Sequence, residues 1–587
     1  MIYRRRSKQN LTVTVILIFL GYFVYNRFLR GPIHPPEPVR GQPPKEGQQH
    51  WAKHEYNYPV DSYLALPTKY ARLPKIQHDF PGESWIQRSA RVKKQNAVKE
   101  AFLHAWNGYK THAWSRDEVS PESGGFRDPF SGWGATLVDS LDTLIIMGLD
   151  KEFKEALMAL EDIDFTITRQ RDINVFETVI RYVGGFLAAY DLSEGKHPIL
   201  LKKAVELSDM LYDCFDTKNR MPQARWNWAT SIKGGELHPG TSTVMSELGS
   251  FSVEFTRLTQ LTGDLKYYDA AQRIMNELDR AQETTHLPGL WPKFVDANSL
   301  KFERNDFGIG ACADSTYEYL PKQHIMVGGA SDQYRRMYES AMDPIKKHIV
   351  FRAMTKDEDQ HILFPADIKV NSAKGTISSH IYTAMHLSCF IGATIGLGAK
   401  LFNRPEDMYY ARGLTDGCIW AYDVFPHGVM AEEFKVVPCD NMDSCAWDEK
   451  KWLDTISSDT DYARSRVKTE KLPPGVINVQ DSNYKLRPEA IESVFYMWRI
   501  SGDQFYQDAA WRMFKNIDAI TRTKFGHSAV YDVRDDEPRK KDEMESFWTA
   551  ETLKYFYLTF SDPNLVSLDD YVFNTEAHPF RRPTSSL

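Results

Sequence analysis

Carboxylates recur along this chain at one kind of position, at or near the start of stretches that read as apolar helices. They are Glu177 in Asn174-Val-Phe-Glu-Thr-Val-Ile-Arg, Asp314 in Cys312-Ala-Asp-Ser-Thr-Tyr-Glu, Glu489 in Leu486-Arg-Pro-Glu-Ala-Ile-Glu and Glu545 in Met544-Glu-Ser-Phe-Trp. Asp139 lies within the strongly apolar Val138-Asp-Ser-Leu-Asp-Thr. Any one of them is explained as a helix cap or dipole partner. Five together suggest a shared cavity, where mutual repulsion raises some pKa values unless a cation compensates. Two carboxylates flanking a glycosidic bond are what hydrolysis requires, one to protonate the leaving oxygen and one to activate water. A further acidic group with hydroxyls can hold a hard cation such as Ca²⁺. Arg181 follows Glu177 by one helical turn and would stabilise a carboxylate or contact a sugar. Glu318 bears the same relation to Asp314, and Glu492 lies three residues after Glu489. No EF-hand loop, zinc motif, P-loop or dinucleotide fingerprint competes.

The elements that must position these groups read as helices from about Ala90 to Phe560. Stretches are expected near 90–108, 131–148, 174–191, 243–261, 312–322, 380–398, 487–500 and 543–560, among others, many separated by tight turns. The sequence echoes itself. Leu261-Thr-Gly-Asp-Leu-Lys-Tyr-Tyr-Asp-Ala-Ala-Gln-Arg resembles Ile500-Ser-Gly-Asp-Gln-Phe-Tyr-Gln-Asp-Ala-Ala-Trp-Arg, a turn leading into an amphipathic helix after a more apolar one. Such hairpins, repeated about seven times, close into an all-α toroid or stack into an open solenoid. Only the toroid gathers the inner helices' N-termini at one mouth.

Composition narrows the class. Lys and Arg total 72 against 79 Asp and Glu, a net charge of −7 that argues against nucleic acid as a partner. Arg4, Arg5, Arg6 and Lys8 precede an apolar run from Leu11 to Tyr25, with Arg27 and Arg30 beyond it. No small-x-small cleavage site follows, so the run reads as an uncleaved signal anchor, with the N-terminus cytosolic and the remainder lumenal. The expected organisation is a cytosolic tail (1–10), a membrane anchor (11–29), a Pro-rich lumenal stem that supplies reach alone (30–84), a catalytic toroid (85–580) and a short tail (581–587). The short span suits the thin membranes of the early secretory pathway. Six cysteines in a lumenal chain permit disulfides. Cys439 and Cys445 are close enough to clip a loop, Cys389 and Cys418 could staple a hairpin, and Cys214 and Cys312 are left paired or free.

Six ordered motifs carry a family resemblance: Gly132-Trp-Gly-Ala-Thr-Leu-Val-Asp-Ser-Leu-Asp-Thr-Leu, Val175-Phe-Glu-Thr-Val-Ile-Arg, Ala313-Asp-Ser-Thr-Tyr-Glu-Tyr-Leu, Leu486-Arg-Pro-Glu-Ala-Ile-Glu-Ser, Met544-Glu-Ser-Phe-Trp-Thr-Ala-Glu-Thr-Leu-Lys-Tyr and Phe573-Asn-Thr-Glu-Ala-His-Pro. From about residue 85 to 580 the chain resembles the class I α1,2-mannosidases, glycoside hydrolase family 47. The resemblance implies an (α/α)7 barrel with a C-terminal segment plugging one end. It also implies inversion at the anomeric carbon, one Ca²⁺, and high-mannose N-glycans as substrate. Carried over, Glu489 is the general base, and Glu177 the general acid with Asp314 as the competing assignment. Asp139, Arg181, Glu318, Glu432, Arg487, Glu492, Glu545, Phe547 and Glu576 match further positions of the pocket. Thr575 matches the calcium-binding residue, and Cys389–Cys418 the family disulfide.

Cys312 departs from the family pattern. Members that remove chiefly one mannose in the endoplasmic reticulum carry Arg at that position. Loss of the guanidinium removes directional bonds to one glycan branch and leaves room for others, so broader trimming of Golgi or fungal type is expected. A second function class also resembles this family, a glycan-binding degradation factor with little catalysis. The intact acidic set favours the enzyme. Oligomeric state is left open by the sequence.

Overall fold

The computed structural model describes residues 50–583, except 169, 357–360 and 373. The expected anchor and cytosolic tail lie outside the described residues. Among the described residues no helix is long and apolar enough to cross a membrane.

Fourteen helices form seven inner–outer pairs. The first helix among the described residues, α1 (Trp85–His112), is an outer one. Inner helices are α2 (Leu141–Ile146), α4 (Gly184–Leu192), α6 (Ser252–Thr262), α8 (Asp314–Met326), α10 (Ile391–Leu401), α12 (Glu489–Ser501) and α14 (Leu553–Thr559). Their following outer partners are α3 (Asp150–Leu160), α5 (Pro198–Leu211), α7 (Leu265–Gln282), α9 (Gln333–Pro344), α11 (Asp407–Val424) and α13 (Gln504–Thr521). The last inner helix, α14, packs on α1. The ring is therefore closed, an (α/α)7 barrel and not an open solenoid.

The sequence echo marks two of the turns at the end of the barrel away from the mouth. Gly263 and Gly502 end α6 and α12 in the left-handed conformation, with φ of 75° and 69°. Asp264 and Asp503 then cap α7 and α13, accepting from the Lys266 and Phe505 amides at 3.1 and 3.0 Å. Inner helices are buried on nearly every side; α12, for instance, buries all residues from Ala490 to Ile500. That is why they read as uniformly apolar while the outer helices read as amphipathic.

Three expectations need correction. The helix expected over 380–398 starts only at Ile391. Before it the chain forms strand Thr383–Met385, part of a three-stranded sheet with Glu433–Val436 and Val476–Asp481. The short segment Thr-Ile-Ser-Ser-His-Ile, two β-branched isoleucines among polar residues, is also a strand, Thr376–Ile381, that the helical reading passed over. Secondly, the stem is not a spacer from residue 50 onward. Residues 50–84 form an extended strap tied to the barrel by buried carboxylates and carbonyls. The Trp51 indole donates to Asp213 at 2.5 Å, the Asn57 amide to Asp216 at 2.8 Å, and the Leu64 amide to Asp269 at 2.9 Å. The Ile76 amide donates to Asp569 at 2.7 Å, and that of His78 to the Arg499 carbonyl at 2.8 Å. Proline blocks helix here but suits an extended ribbon, because strap amides are bonded one at a time and not in a ladder. Thirdly, the C-terminal hairpin Tyr571–Phe573/Pro579–Arg581 runs past residue 580, and Arg582 is held by the Leu568 carbonyl at 2.8 Å.

Both expected disulfides form, Cys389–Cys418 joining α10's approach to α11 and Cys439–Cys445 closing a loop. Cys214 and Cys312 are free thiols. The Cys439–Cys445 loop opens an insertion whose helices Glu449–Ile456 and Thr460–Thr469 cover a small separate core around Trp452 and Leu453.

Candidate active site

The inner helices begin at one mouth, and each start delivers part of a polar cluster. Glu177 sits in the short helix Val175–Thr178, with its amide donating to the Asn174 side chain at 3.4 Å. The helix then widens into a π-turn, Val179–Val183, a distortion found often at functional positions. That turn carries Arg181, which is buried. Its Nε and Nη2 donate to Glu177 at 3.0 and 2.9 Å, and Nη1 reaches the Ser546 hydroxyl at 3.2 Å. Arg181 also pairs with Glu576 and lies 3.5 Å from Asp139. The Phe130 and Phe547 rings flank its guanidinium at 4.7 and 5.8 Å.

Across the mouth, Glu489 opens α12. One oxygen accepts from His386 Nδ1 at 2.8 Å, and the other lies 3.7 Å from the Arg487 guanidinium. His386 Nε2 meets the Tyr422 hydroxyl at 2.8 Å, which orients the ring. Arg487 Nε donates to Glu432 at 2.6 Å, and the Lys485 amide bonds the same carboxylate at 3.1 Å. Burial pushes the Glu489 pKa upward, but His386 and Arg487 outweigh it and hold the carboxyl below its ordinary range. A buried carboxylate kept ionised suits a base.

Asp314 opens α8 and has the opposite environment. Burial pushes it up to about 6, opposed by the Ser315 amide and the Ser246 hydroxyl and reinforced by Glu318 and Glu489. A carboxyl held near 6 suits a proton donor. One turn on, Glu318 pairs with Lys322, whose ammonium also lies 3.6 Å from Glu492 and 3.3 Å from the Asn574 carbonyl. Burial pushes Glu492 up to about 8, against the pull of Lys322. Cys312 and Leu486 carry positive φ, 76° and 66°, just before the helix starts that deliver Asp314 and Glu489. Each such residue stores about 1–3 kcal/mol of strain.

The floor is the turn of the C-terminal hairpin. Asn574 donates to the Ile180 carbonyl at 3.0 Å and to Glu254 at 2.8 Å, while its own oxygen accepts from the Glu576 and His578 amides at 2.9 and 2.8 Å. His578 lies between Asp139 and Asp142, at 3.0 and 3.1 Å. Close approach requires glycine here: a Cβ on Gly184 would meet the His578 ring at 2.7 Å, and one on Gly185 the Val138 carbonyl at 2.6 Å. The Thr575 amide donates to Tyr319 at 3.2 Å, and Tyr319 in turn to Glu254 at 2.6 Å. Neither the Thr575 hydroxyl nor its carbonyl has a hydrogen-bond partner among the described residues.

That donor set bears on a metal. No group of three or more His, Cys, Asp or Glu forms a metal cage among the described residues. Thr575 offers two free neutral oxygens, and the surrounding carboxylates outnumber Arg181, Lys322 and Arg487. Burial and the neighbouring Glu576 push Glu551 far above the ordinary range, and one oxygen of Glu254 has no partner at all. Such residues fit a hard cation, which Thr575 would hold through its oxygens and the acidic wall would balance electrostatically.

Every expected site residue except Cys312 belongs to this network. Asp139 and Glu318 are buried and support other groups. Glu545 is half-buried beside Arg181, Arg487 and Glu177. Phe547 stands between Arg181 and Arg487. Cys312 lies at the rim, near the Lys293–Asp367 ion pair of 2.5 Å. His386, Lys322, Tyr319, Glu254 and Glu551 were not singled out. Lys322 continues the Asp314–Glu318 ladder at helical spacing, and Glu551 falls within a quoted motif, so both were within reach. His386 sits at a strand-to-helix junction and gives no pattern.

A closed helical toroid with opposed carboxylates at its mouth, over an oxygen-lined floor, defines the class as glycoside hydrolase. The chain belongs to glycosyl hydrolase family 47, whose sequence profile matches residues 101–582. An endoplasmic reticulum mannosyl-oligosaccharide 1,2-alpha-mannosidase of Homo sapiens is 33% identical over 520 residues, 88% of this chain and 68% of its own length. Mannosyl-oligosaccharide alpha-1,2-mannosidase IA of Spodoptera frugiperda is 32% identical over 534 residues, 89% of this chain and 69% of that protein. Among solved structures, an alpha-1,2-mannosidase from Trichoderma reesei matches with a TM-score of 0.74 at 29% identity, covering 84% of this chain and 99% of that one.

Proposed function

We propose that this chain hydrolyses terminal α1,2-linked mannose from high-mannose N-glycans in the secretory pathway. The carrying observation is a pair of carboxyls in unlike surroundings at two inner-helix starts: Glu489, 2.8 Å from His386 Nδ1 and 3.7 Å from Arg487, and Asp314, whose side chain bonds the Ser315 amide at 2.8 Å and meets no cation among the described residues. In this reading Glu489 takes a proton from the attacking water as that water forms its bond to the anomeric carbon. The glycosidic C–O bond breaks as the leaving oxygen receives a proton from Asp314, or from Glu177 through a water. Attack from the face opposite the leaving group inverts the anomeric configuration. Phe547, Arg181 and Arg487 line the place where the sugar ring would sit. Calcium, when bound at Thr575, supplies Lewis-acidic contacts to sugar hydroxyls.

The half-buried thiol of Cys312 leaves the rim without a guanidinium, which supports removal of several mannoses toward Man5. The apolar run from Leu11 to Tyr25 supports a single-pass type II protein of the endoplasmic reticulum or Golgi. The test is incubation of the purified full chain with Man9GlcNAc2, with and without EDTA, followed by chromatography. Calcium-dependent release of several mannoses is expected. One dominant single-mannose product would remove the Cys312 argument, and binding without cleavage in the presence of calcium would replace hydrolase with glycan receptor.

A further inference from the structure

Cys312 leaves its own stretch of the rim without a guanidinium, and the neighbouring stretch carries one. Arg225 lies in the two-residue ladder Ile173–Asn174/Arg225–Trp226, directly opposite Asn174. The Val175 amide donates to the Ala224 carbonyl at 3.1 Å and the Gln223 amide to the Cys214 carbonyl at 2.9 Å, which fixes the approach to this strand. Successive strand side chains point to opposite faces. Trp226 is buried in the core, and Arg225 accordingly points the other way, with its side chain 64% exposed. Asn174 is the N-cap of the short helix that bears Glu177. Arg225 therefore stands across the ladder, about 4.8 Å between backbones, from the residue that starts the helix of a candidate acid.

The guanidinium is anchored on one side only. Its Nη2 pairs with Glu247, which is 7% exposed and belongs to the short helix Met245–Gly249. That helix is part of the mouth. The Ser246 amide donates to the Cys312 carbonyl at 3.1 Å, and the Ser246 hydroxyl supports Asp314. Burial pushes the Glu247 pKa up and Glu177 adds to it, against the pull of Arg225 and a bond from Asn174. The Nε and Nη1 atoms of Arg225 have no hydrogen-bond partner among the described residues. An exposed arginine beside an exposed carboxylate would be an ordinary surface pair of little consequence. Here the carboxylate is buried close to a like charge, and what it holds is a donor fork that is open to solvent at the edge of the mouth.

We propose that Arg225 is a specificity-determining residue, whose guanidinium donates to glycan hydroxyls on the leaving side of the scissile bond. The proposal rests on reading the mouth as that of an α1,2-mannosidase. A planar fork can meet two neighbouring hydroxyl oxygens of one pyranose, whereas a lysine would present a point charge. A cation on the strand opposite Asn174 reaches the glycan from a different segment than one at position 312. It therefore favours a different branch and leaves the mouth open to the others.

The test compares the purified full chain with Arg225→Ala and Arg225→Lys, all with calcium. Initial rates are measured on Man9GlcNAc2, and the Man8 isomers formed are separated by chromatography. Arg225→Lys keeps a cation for Glu247 and loses the fork, so it separates sugar recognition from support of the buried carboxylate, and it decides the matter alone if Arg225→Ala does not fold. Arg225→Ala is expected to raise KM by about ten-fold or more, and Arg225→Lys by about three-fold or more. In both, kcat should stay within about three-fold and the ratio of Man8 isomers should shift. An unchanged KM and isomer ratio in both variants would overturn the proposal. So would a fall in kcat that Arg225→Lys restores in full with no change of isomers, because Arg225 would then serve Glu247 alone. If the unsubstituted chain cleaves no mannose, the mannosidase reading fails and the proposal is decided by calorimetric binding of Man9GlcNAc2. Binding about ten-fold weaker in Arg225→Ala upholds it, and equal or absent binding overturns it.

Discussion

The two ends of this barrel bury charge in different ways. At the mouth, carboxylates face one another and a few cations, so that Glu489 is held low, Asp314 near 6 and Glu492 near 8. At the far end one buried charge is Arg499, which donates to the Pro563, Val566 and Leu558 carbonyls and to Gln77, with no carboxylate in contact. Burial still pushes its pKa down to about 9. The mouth keeps its groups unequal and proton-exchangeable, while the far end gives Arg499 four oxygen partners and uses it to tie strap, helix and loop together. Function is carried by imbalance at the mouth and stability by ties between distant segments at the far end, within one continuous core.

Four substitutions would break or sharpen that contrast. Glu489→Gln should lower kcat by about 10²–10⁴-fold with only a modest fall in thermal midpoint, since the fold stabilises this carboxylate's charge through His386 and Arg487. A loss of stability matching the loss of activity would make Glu489 structural. Asp314→Asn bears on the acid. If Asp314 donates the proton, activity in the unsubstituted protein falls as pH rises through about 6, and the variant loses both that limb and about 10²-fold or more in rate. A limb that persists in the variant would assign the proton to Glu177. At the far end, Arg499→Met should cost about 2–4 kcal/mol in denaturant unfolding, because several buried carbonyls lose their donor. The KM for glycan should stay within two-fold, and a large change there would refute the separation of the two ends.

The smallest effect concerns Glu118, a buried carboxylate near the mouth whose oxygens make no hydrogen bond and whose nearest cation, Arg127, is 3.8 Å away. Burial pushes it up to about 8. Because the folded pKa is raised, its favourable contribution is present below about 4.5 and is lost as pH rises toward 8. Glu118→Gln should therefore stabilise by about 1–2 kcal/mol at pH 8 and by nothing measurable at about pH 4, below the unfolded value. Equal stabilisation at both values would point to packing and not charge.

Much of the fold was legible because hydrophobic period and turn chemistry coincide. The Thr-Gly-Asp and Ser-Gly-Asp echoes are the left-handed glycine caps and aspartate N-caps of two far-end turns. The acidic residues of the mouth were legible for a related reason, since inner helix starts are where carboxylates are sterically and electrostatically at home. What stayed hidden depends on pairing between segments distant in sequence. The strap's bonds run from residue 51 to 213 and from 76 to 569, and no local pattern encodes such partners. His386 was missed because its role is set by Glu489 and Tyr422, which approach it only in the closed ring. Glu551 was missed because a glutamate inside an apolar helix reads as a surface charge until the π-turn Trp548–Thr552 is seen.

The closure of the ring has a consequence for biosynthesis. Helix α1 emerges first, yet its inner partner α14 is made last, and the floor that carries Thr575 follows α14. At about 5–20 residues per second, α1 waits about 20–90 s for its partner, with its apolar face uncovered. The intervening inner–outer pairs are consecutive in sequence, but the catalytic mouth has no floor until translation of the C-terminal hairpin is complete. Ribosome stalling or premature termination before Arg582 would leave a nascent chain with a set of catalytic acids and no working enzyme.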